Sequence, residues 1–325
     1  MDSAETMNKL PPQEVFWNAT AIHQIEGFWF MEEYLESMAA FRSEFQPRND
    51  DILLTSFPKT GTTWLMALCQ NILNLEEDEE EDILTEKNPH DVVPTLDGAY
   101  LADQVQNILL HSGRRTTSRL LHTHLPYSCL PEAVRNSGCK LVHLARNPKD
   151  TLVSMWHFYN KILRREPTSD PFPIERAVES FCGGVIPWGP FYEHVVGYWE
   201  ESRKRPDEVL FLKYEELCRD PKDQVRKLAT FLGKSFCPTK NGDNDDDDDD
   251  VVVEKVVRRS SLGRLKELEV NKNGVLEIVP IPNAHFFRKG TVGDWKSCLT
   301  PQMAKRIDHL TQFKLRGTGL SLDDF

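Results

Sequence analysis

A short apolar run, a polar turn and an amphipathic stretch recur in that order along the chain, which is the pattern of parallel βα units. Ile52-Leu53-Leu54 leads through Pro58 and Gly61 into a segment whose apolar residues Leu65, Leu68, Cys69, Ile72 and Leu73 lie on one helical stripe, so a strand feeds a helix. Leu141 to Ala145 predicts a second strand, and Asn147-Pro148 with Asp150 supplies the cap, first position and first-turn acid of the helix behind it. Val209 to Leu212, then Asp220-Pro221 before Val225, Leu228 and Leu232, repeats the unit. Thr300-Pro301 opens a last helix through Met303, Ile307 and Leu310 that ends near Gly317. Together these units predict an α/β fold of one domain, with a central, mainly parallel β-sheet flanked by helices. Ligands of such sheets bind beyond the carboxyl ends of the strands, so the chemistry belongs in the turns.

Composition narrows the class. The chain has 325 residues, 39% hydrophobic and 28% charged, which suits a soluble globule, and no apolar run approaches the roughly 18 residues of a spanning helix. With no basic-then-apolar leader in sight, a cytoplasmic protein without membrane partners is expected. The net charge of −12 comes from two acidic runs, Glu76 to Asp82 and Asp243 with Asp245 to Asp250, and without those fourteen acids the balance is +2. A pocket for an anion is therefore compatible with the acidic total, while the lack of a long basic patch argues against nucleic-acid binding. The segment 239–250 is expected to be a mobile, solvated loop because its like charges repel. Seven cysteines in no metal-finger spacing read as reduced thiols. Residues 1–24 are taken as a partly disordered N-terminal segment ahead of a domain over 25–325.

The turn after the first strand, Thr55-Ser56-Phe57-Pro58-Lys59-Thr60-Gly61-Thr62-Thr63-Trp64, is P-loop-like. It offers a helix N-terminus, hydroxyls and a lysine ammonium to a phosphate. It is not a Walker A loop, since the lysine precedes the glycine, and ATP hydrolysis is correspondingly disfavoured. Arg146 stands where the second strand meets its helix, with Ser154 farther along. Arg288-Lys289-Gly290 places two cations beside a glycine that permits close backbone approach. Leu120-Leu121-His122-Thr123-His124-Leu125-Pro126 is an apolar strand ending in two histidines on one face. A metal reading of that pair lacks a third ligand in the sequence and ranks below a catalytic one.

Three ordered motifs resemble the cytosolic sulfotransferases, which move a sulfuryl group from 3′-phosphoadenosine 5′-phosphosulfate (PAPS) to a hydroxyl. Pro58 to Trp64 matches the family's 5′-phosphosulfate loop with Thr60 in place of serine, Leu144 to Asp150 with Ser154 its 3′-phosphate segment, and Phe287 to Lys296 its C-terminal signature. The resemblance runs from about residue 25 to the end. It implies that Lys59, Thr60, Gly61, Thr62, Thr63, Arg146, Ser154, Arg288, Lys289 and Gly290 bind PAPS, with Trp64 and Tyr214 against the adenine and Ser260 and Leu262 as looser contacts. It implies His124 as base and Lys59 as the leaving-group cation, with no metal. Where many animal members carry lysine, this chain has His122, the look of a plant-type member. If His124 is the base, the rate should fall through about pH 6 to 7, and the polar segment Arg264 to Gly274 is a candidate lid. Implied acceptors are small molecules of the flavonoid, steroid, hydroxyjasmonate or desulfoglucosinolate class. The family's dimerisation pattern, Lys-xxx-Thr-Val-xxx-Glu, is broken here at Pro301 and Lys305, so a monomer or weak dimer is expected. Rival readings are a nucleotide kinase, which would need a Walker lysine and a magnesium carboxylate, and a non-catalytic nucleotide-binding protein.

Overall fold

A computed structural model of the chain describes residues 14–75, 82–99, 118–163, 170–234, 236, 245–277 and 280–322. Its centre is a four-stranded parallel sheet of β4 (Ile52–Ser56), β5 (Leu120–Thr123), β6 (Lys140–Ala145) and β7 (Val209–Lys213), in the order β5-β4-β6-β7. Side chains alternate across it, as the period of a strand requires. Leu53, Leu121, Leu141, Val209 and Phe211 enter one apolar cluster, and Ile52, Leu54, Leu120, Val142, Leu144, Leu210 and Leu212 enter another on the opposite face. Burial on both faces explains why these strands read as continuous apolar runs.

Helices cover both faces. The second cluster is closed by α2 (Thr62–Leu73), α6 (Pro221–Phe231) and α7 (Asp245–Ser260). The first is closed by α3 (Pro148–Ile162), α4 (Ile174–Gly183), α5 (Phe191–Lys204) and α8 (Pro301–Leu315). The predicted caps form: Asn147 accepts from Lys149 and Asp150 N–H, Asp220 from Asp223 N–H, and Thr300 from Met303 N–H, each satisfying orphan donors of a first turn. Leu65, Leu68, Cys69, Ile72 and Leu73 are all buried, so the predicted stripe is the packed face of α2.

Three expectations change. Residues 14–24, assigned to a partly disordered segment, contribute β1 (Glu14–Phe16) and most of β2 (Thr20–Ile25), which pair with β3 (Phe28–Met31) in a small antiparallel sheet before α1 (Leu35–Glu44); residues 1–13 lie outside the described residues. Asp245 to Asp250, expected in a loop, open α7, and Arg226 bonds Asp250. Residues 239–244 lie outside the described residues. The proposed lid is instead two packed turns, Leu262–Glu267 and Glu269–Asn273, with Asn271 fully buried and bonded to Asn88.

Candidate active site

Parallel pairing aligns the carboxyl ends of all four central strands. Thr55 lies opposite Thr123, Ser56 opposite Leu144, and Ala145 opposite Lys213. The residues just beyond them, the 57–61 loop, His124, Arg146 and Tyr214, therefore meet at one end of the sheet. Pro58, Lys59, Gly61, His124, Arg146 and Tyr214 line a cavity of about 240 Å³.

The loop is braced from beneath. Thr60 is fully buried, its one hydroxyl proton is shared between the carbonyls of Phe57 (2.8 Å) and Leu144 (2.9 Å), and its N–H goes to Phe57. Thr60 was expected among the ligand contacts; with its donors committed inward it ties the loop to β6 and does not line the cavity. Gly61 has φ +113° and a Cβ there would stand 2.6 Å from the Tyr214 ring, so the turn needs a residue with neither side chain nor φ restriction. Lys59 lies with Nζ 3.8 Å from the centre of the Phe158 ring. Burial, then the neighbouring Arg288, Lys161 and Arg146, lowers its ammonium to about 7. A cation so desolvated and surrounded by like charge favours an anion beside it.

The two histidines separate cleanly. His122 has no exposed surface, and its ring nitrogens bond Ser56 Oγ (3.1 Å) and Thr95 Oγ1 (3.1 Å). Ser56 Oγ in turn bonds Thr62 Oγ1 at 2.7 Å, so His122 belongs to the scaffold behind the loop. His124 lines the cavity, with Nδ1 2.8 Å from the carbonyl oxygen of Ser56. A carbonyl only accepts, so Nδ1 carries the proton and the neutral ring keeps its lone pair on Nε2. Burial lowers the His124 pKa, opposed by Asp97 and the Ser56 bond and assisted by Lys59, which keeps the ring neutral near pH 7.

At the other end of the cavity Arg146 is 4% exposed, donates to Thr291 O at 2.9 Å and lies 4.2 Å above the Tyr214 ring. Tyr214 donates to Gly290 O at 2.6 Å and meets Trp64 edge-on. Gly290 has φ +68°, and a Cβ there would stand 2.0 Å from Leu262. Arg288 bonds Asp294, whose carboxyl is held at about 2: burial pushes it up, but the bonds from Lys289 and Arg288 win. Lys289, expected at the ligand, bonds Asp294 at 2.6 Å, half exposed and away from the cavity wall. Ser154 lines the cavity, whereas Ser260 is buried and bonded to Asn71 and Ala67. Arg146 Nε, Arg288 Nε and Trp64 Nε1 are buried without hydrogen-bond partners. Unpaired buried donors are costly, and the three residues that carry them line the same cavity, which fits a phosphate-bearing nucleotide.

Several lining residues gave no sequence signal. Phe158, Tyr159 and Ile162 continue the α3 face beyond Ser154, Tyr34 comes from the segment after β3, Asp97 from the short helical turn Leu96–Ala99, and Trp188 from a loop. Thr63 Oγ1 bonds His90 Nε2 at 2.9 Å. Only the helical spacing after Ser154 could have pointed to Phe158 and Ile162.

The sulfotransferase domain profile matches residues 49–319. The chain is similar to cytosolic sulfotransferase 5 of Arabidopsis thaliana, 39% identical over 97% of this chain and 94% of the relative. It is similar to the flavonol 3-sulfotransferase of Flaveria bidentis, 37% identical over 93% of each chain. The crystal structure of mouse sulfotransferase SULT7A1 complexed with PAP superposes with TM-score 0.66 at 28% identity, covering 91% of this chain and 94% of that one.

Proposed function

The chain belongs to the sulfotransferase domain family, an enzyme family of sulfuryl transfer to small-molecule acceptors, and from that premise we propose that it takes the sulfuryl group from PAPS and places it on a hydroxyl, with His124 as base. The observation that carries this is the tautomer of His124, fixed by Ser56 so that a lone pair stands in the same cavity as Lys59. The donor supplies an electrophilic sulfur joined to a phosphate leaving group; PAP, present in the mouse structure, is what remains of it. Arg146, Ser154 and Arg288 hold the 3′-phosphate, and Gly61, Thr62 and Thr63 the 5′ end. As the hydroxyl oxygen attacks sulfur in line, its proton passes to His124 Nε2, while Lys59 neutralises charge on the departing bridging oxygen. The donor and acceptor are positioned by the protein, and positioning with electrostatics is the main catalytic resource for such group transfers.

Tyr34, Phe158, Tyr159, Ile162 and Trp188 give the acceptor end apolar, largely aromatic walls, which suit a ring-containing alcohol or phenol, the flavonoid and steroid classes ahead of the others. Among the described residues no helix is long and apolar enough to cross a membrane, and a cytosolic enzyme is proposed. The test is PAPS turnover on a panel of phenols and alcohols with and without EDTA. Sulfated product that survives EDTA is expected; binding without turnover would sink the reading, and phosphoryl transfer that stops with EDTA would favour a kinase.

A further inference from the structure

Asp97 sits in the short turn Leu96–Ala99, 1% exposed, and divides its carboxylate between two donors. Oδ1 accepts the main-chain N–H of His124 at 3.0 Å, and Oδ2 accepts the indole N–H of Trp188 at 2.9 Å. Each oxygen accepts an N–H donor, an arrangement that a carboxylate offers. No ion pair joins it to a lysine or arginine among the described residues, so it is an anion buried without a cation. Such a group is costly unless something beside it gains from the charge.

The ring beside it is His124. Thr123 is the last residue of β5, so the N–H that Asp97 accepts is the first beyond the strand. Trp188, held by the other oxygen, places its ring 5.3 Å from the His124 ring. Around His124 stand Lys59 from the loop, His90, His122 beside it, and His194 from α5, whose Nε2 bonds the His124 carbonyl at 2.8 Å. The three other imidazoles are driven neutral by burial, and Asp97 is the anion that acts on His124. The charge of Asp97 helps to raise the Tyr34 phenol, behind burial and Glu33, and the Tyr198 phenol, behind burial.

We infer that Asp97 is a positioning residue for the base: it anchors the main chain of His124 and holds a fixed negative charge against the imidazolium that forms when the acceptor proton reaches Nε2. The inference rests on the reading of His124 as base. The Ser56 carbonyl orients the ring, and Asp97 supplies what a neutral carbonyl lacks, a full charge that stabilises the protonated product of the step. Asp97 therefore acts through His124, and the proton goes to the imidazole, not to the carboxylate.

Asp97→Asn is nearly isosteric and removes the charge. Turnover should fall about 10- to 100-fold with PAPS affinity within about threefold. The acid limb of the pH–rate profile should move to lower pH, because His124 loses the charge that raises its pKa. Trp188→Phe deletes the indole bond but leaves the charge, so its acid limb should stay in place. An Asp97→Asn enzyme with unchanged turnover, or with reduced turnover and an unmoved limb, would overturn the inference. Should that variant not fold, Asp97→Glu keeps the charge and must keep the wild-type limb; a limb displaced downward would overturn the inference. His124→Asn separates the two readings: if it retains turnover within a few-fold, the base assignment itself fails. Where it loses turnover, adding Asp97→Asn should cost no more than about twofold further, and a fully multiplicative loss would show that Asp97 acts apart from the base.

Discussion

Lys59 is the residue whose protonation most directly ties structure to behaviour. Its ammonium is lowered to about 7 by burial and by Arg288, Lys161 and Arg146, and a bound dianion would raise it again. A group whose pKa rises on binding contributes affinity in full below the free value and loses it as pH climbs toward the bound value. PAPS affinity should accordingly hold below pH 7 and then weaken by up to about tenfold per pH unit. Calorimetry in buffers of different ionisation enthalpy should show proton uptake at pH 8, and Lys59→Arg should flatten the dependence. Lys59→Ala is expected to cut turnover by about 10² to 10³, the usual loss for one preorganised donor to a developing anion. Burial lowers the His124 pKa from its ordinary value, so the acid limb of the rate should lie below the pH 6 to 7 expected of an unperturbed ring. A rate halved already at pH 7 would contradict the neutral ring.

At the scale of elements, the phosphate loop is a strand-to-helix turn nailed to the neighbouring strand by Thr60. Removing that hydroxyl takes a donor from the Leu144 carbonyl and leaves the Phe57 carbonyl with the Thr60 N–H alone, in a fully buried site. Thr60→Ala should therefore cost about 1–3 kcal/mol of stability and loosen donor binding, whereas Thr60→Ser keeps the bond and should unfold thermally within a degree or two of wild type. The start of α3 carries the complementary site. Arg146→Ala should weaken PAPS by about 1.5–3 kcal/mol, the range of a charged hydrogen bond, and barely change adenosine 5′-phosphosulfate, which has no 3′-phosphate. Equal losses for both ligands in a binding titration would remove Arg146 from that role.

For the molecule as a whole, the stretch from Lys296 to Lys305 bears on self-association. Thr300 caps α8 and Pro301 takes its first position, so this segment is spent on starting a helix, and Lys305 stands exposed with a charge opposite to the glutamate of the dimerisation pattern. Light scattering should find no stable dimer centred on residues 296–305; one whose crosslinks map there would refute this.

What the sequence determined alone was local. Apolar runs and stripes place β4, β6, β7 and the helices behind them because burial on two faces or one leaves a periodic mark, and Asn147, Asp220 and Thr300 mark helix starts because capping is a matter of neighbouring residues. The phosphate-loop and second-strand motifs also singled out Lys59 and Arg146, and the Leu120 to Pro126 strand singled out His124, since each stands in a turn whose position follows from the strand before it. Packing decided the remainder. His122 and His124 share a strand face, and only the partners that β4 and the Thr95 segment bring to them make one a scaffold group and leave the other a free lone pair. Thr60 and Lys289 stand inside matching motifs, yet the carbonyl of Leu144 and the carboxylate of Asp294 claim them. Asp97 and Trp188 carry no local pattern: Asp97 meets His124 across 27 positions and Trp188 across 91, and contacts of that range exist only once the chain has folded.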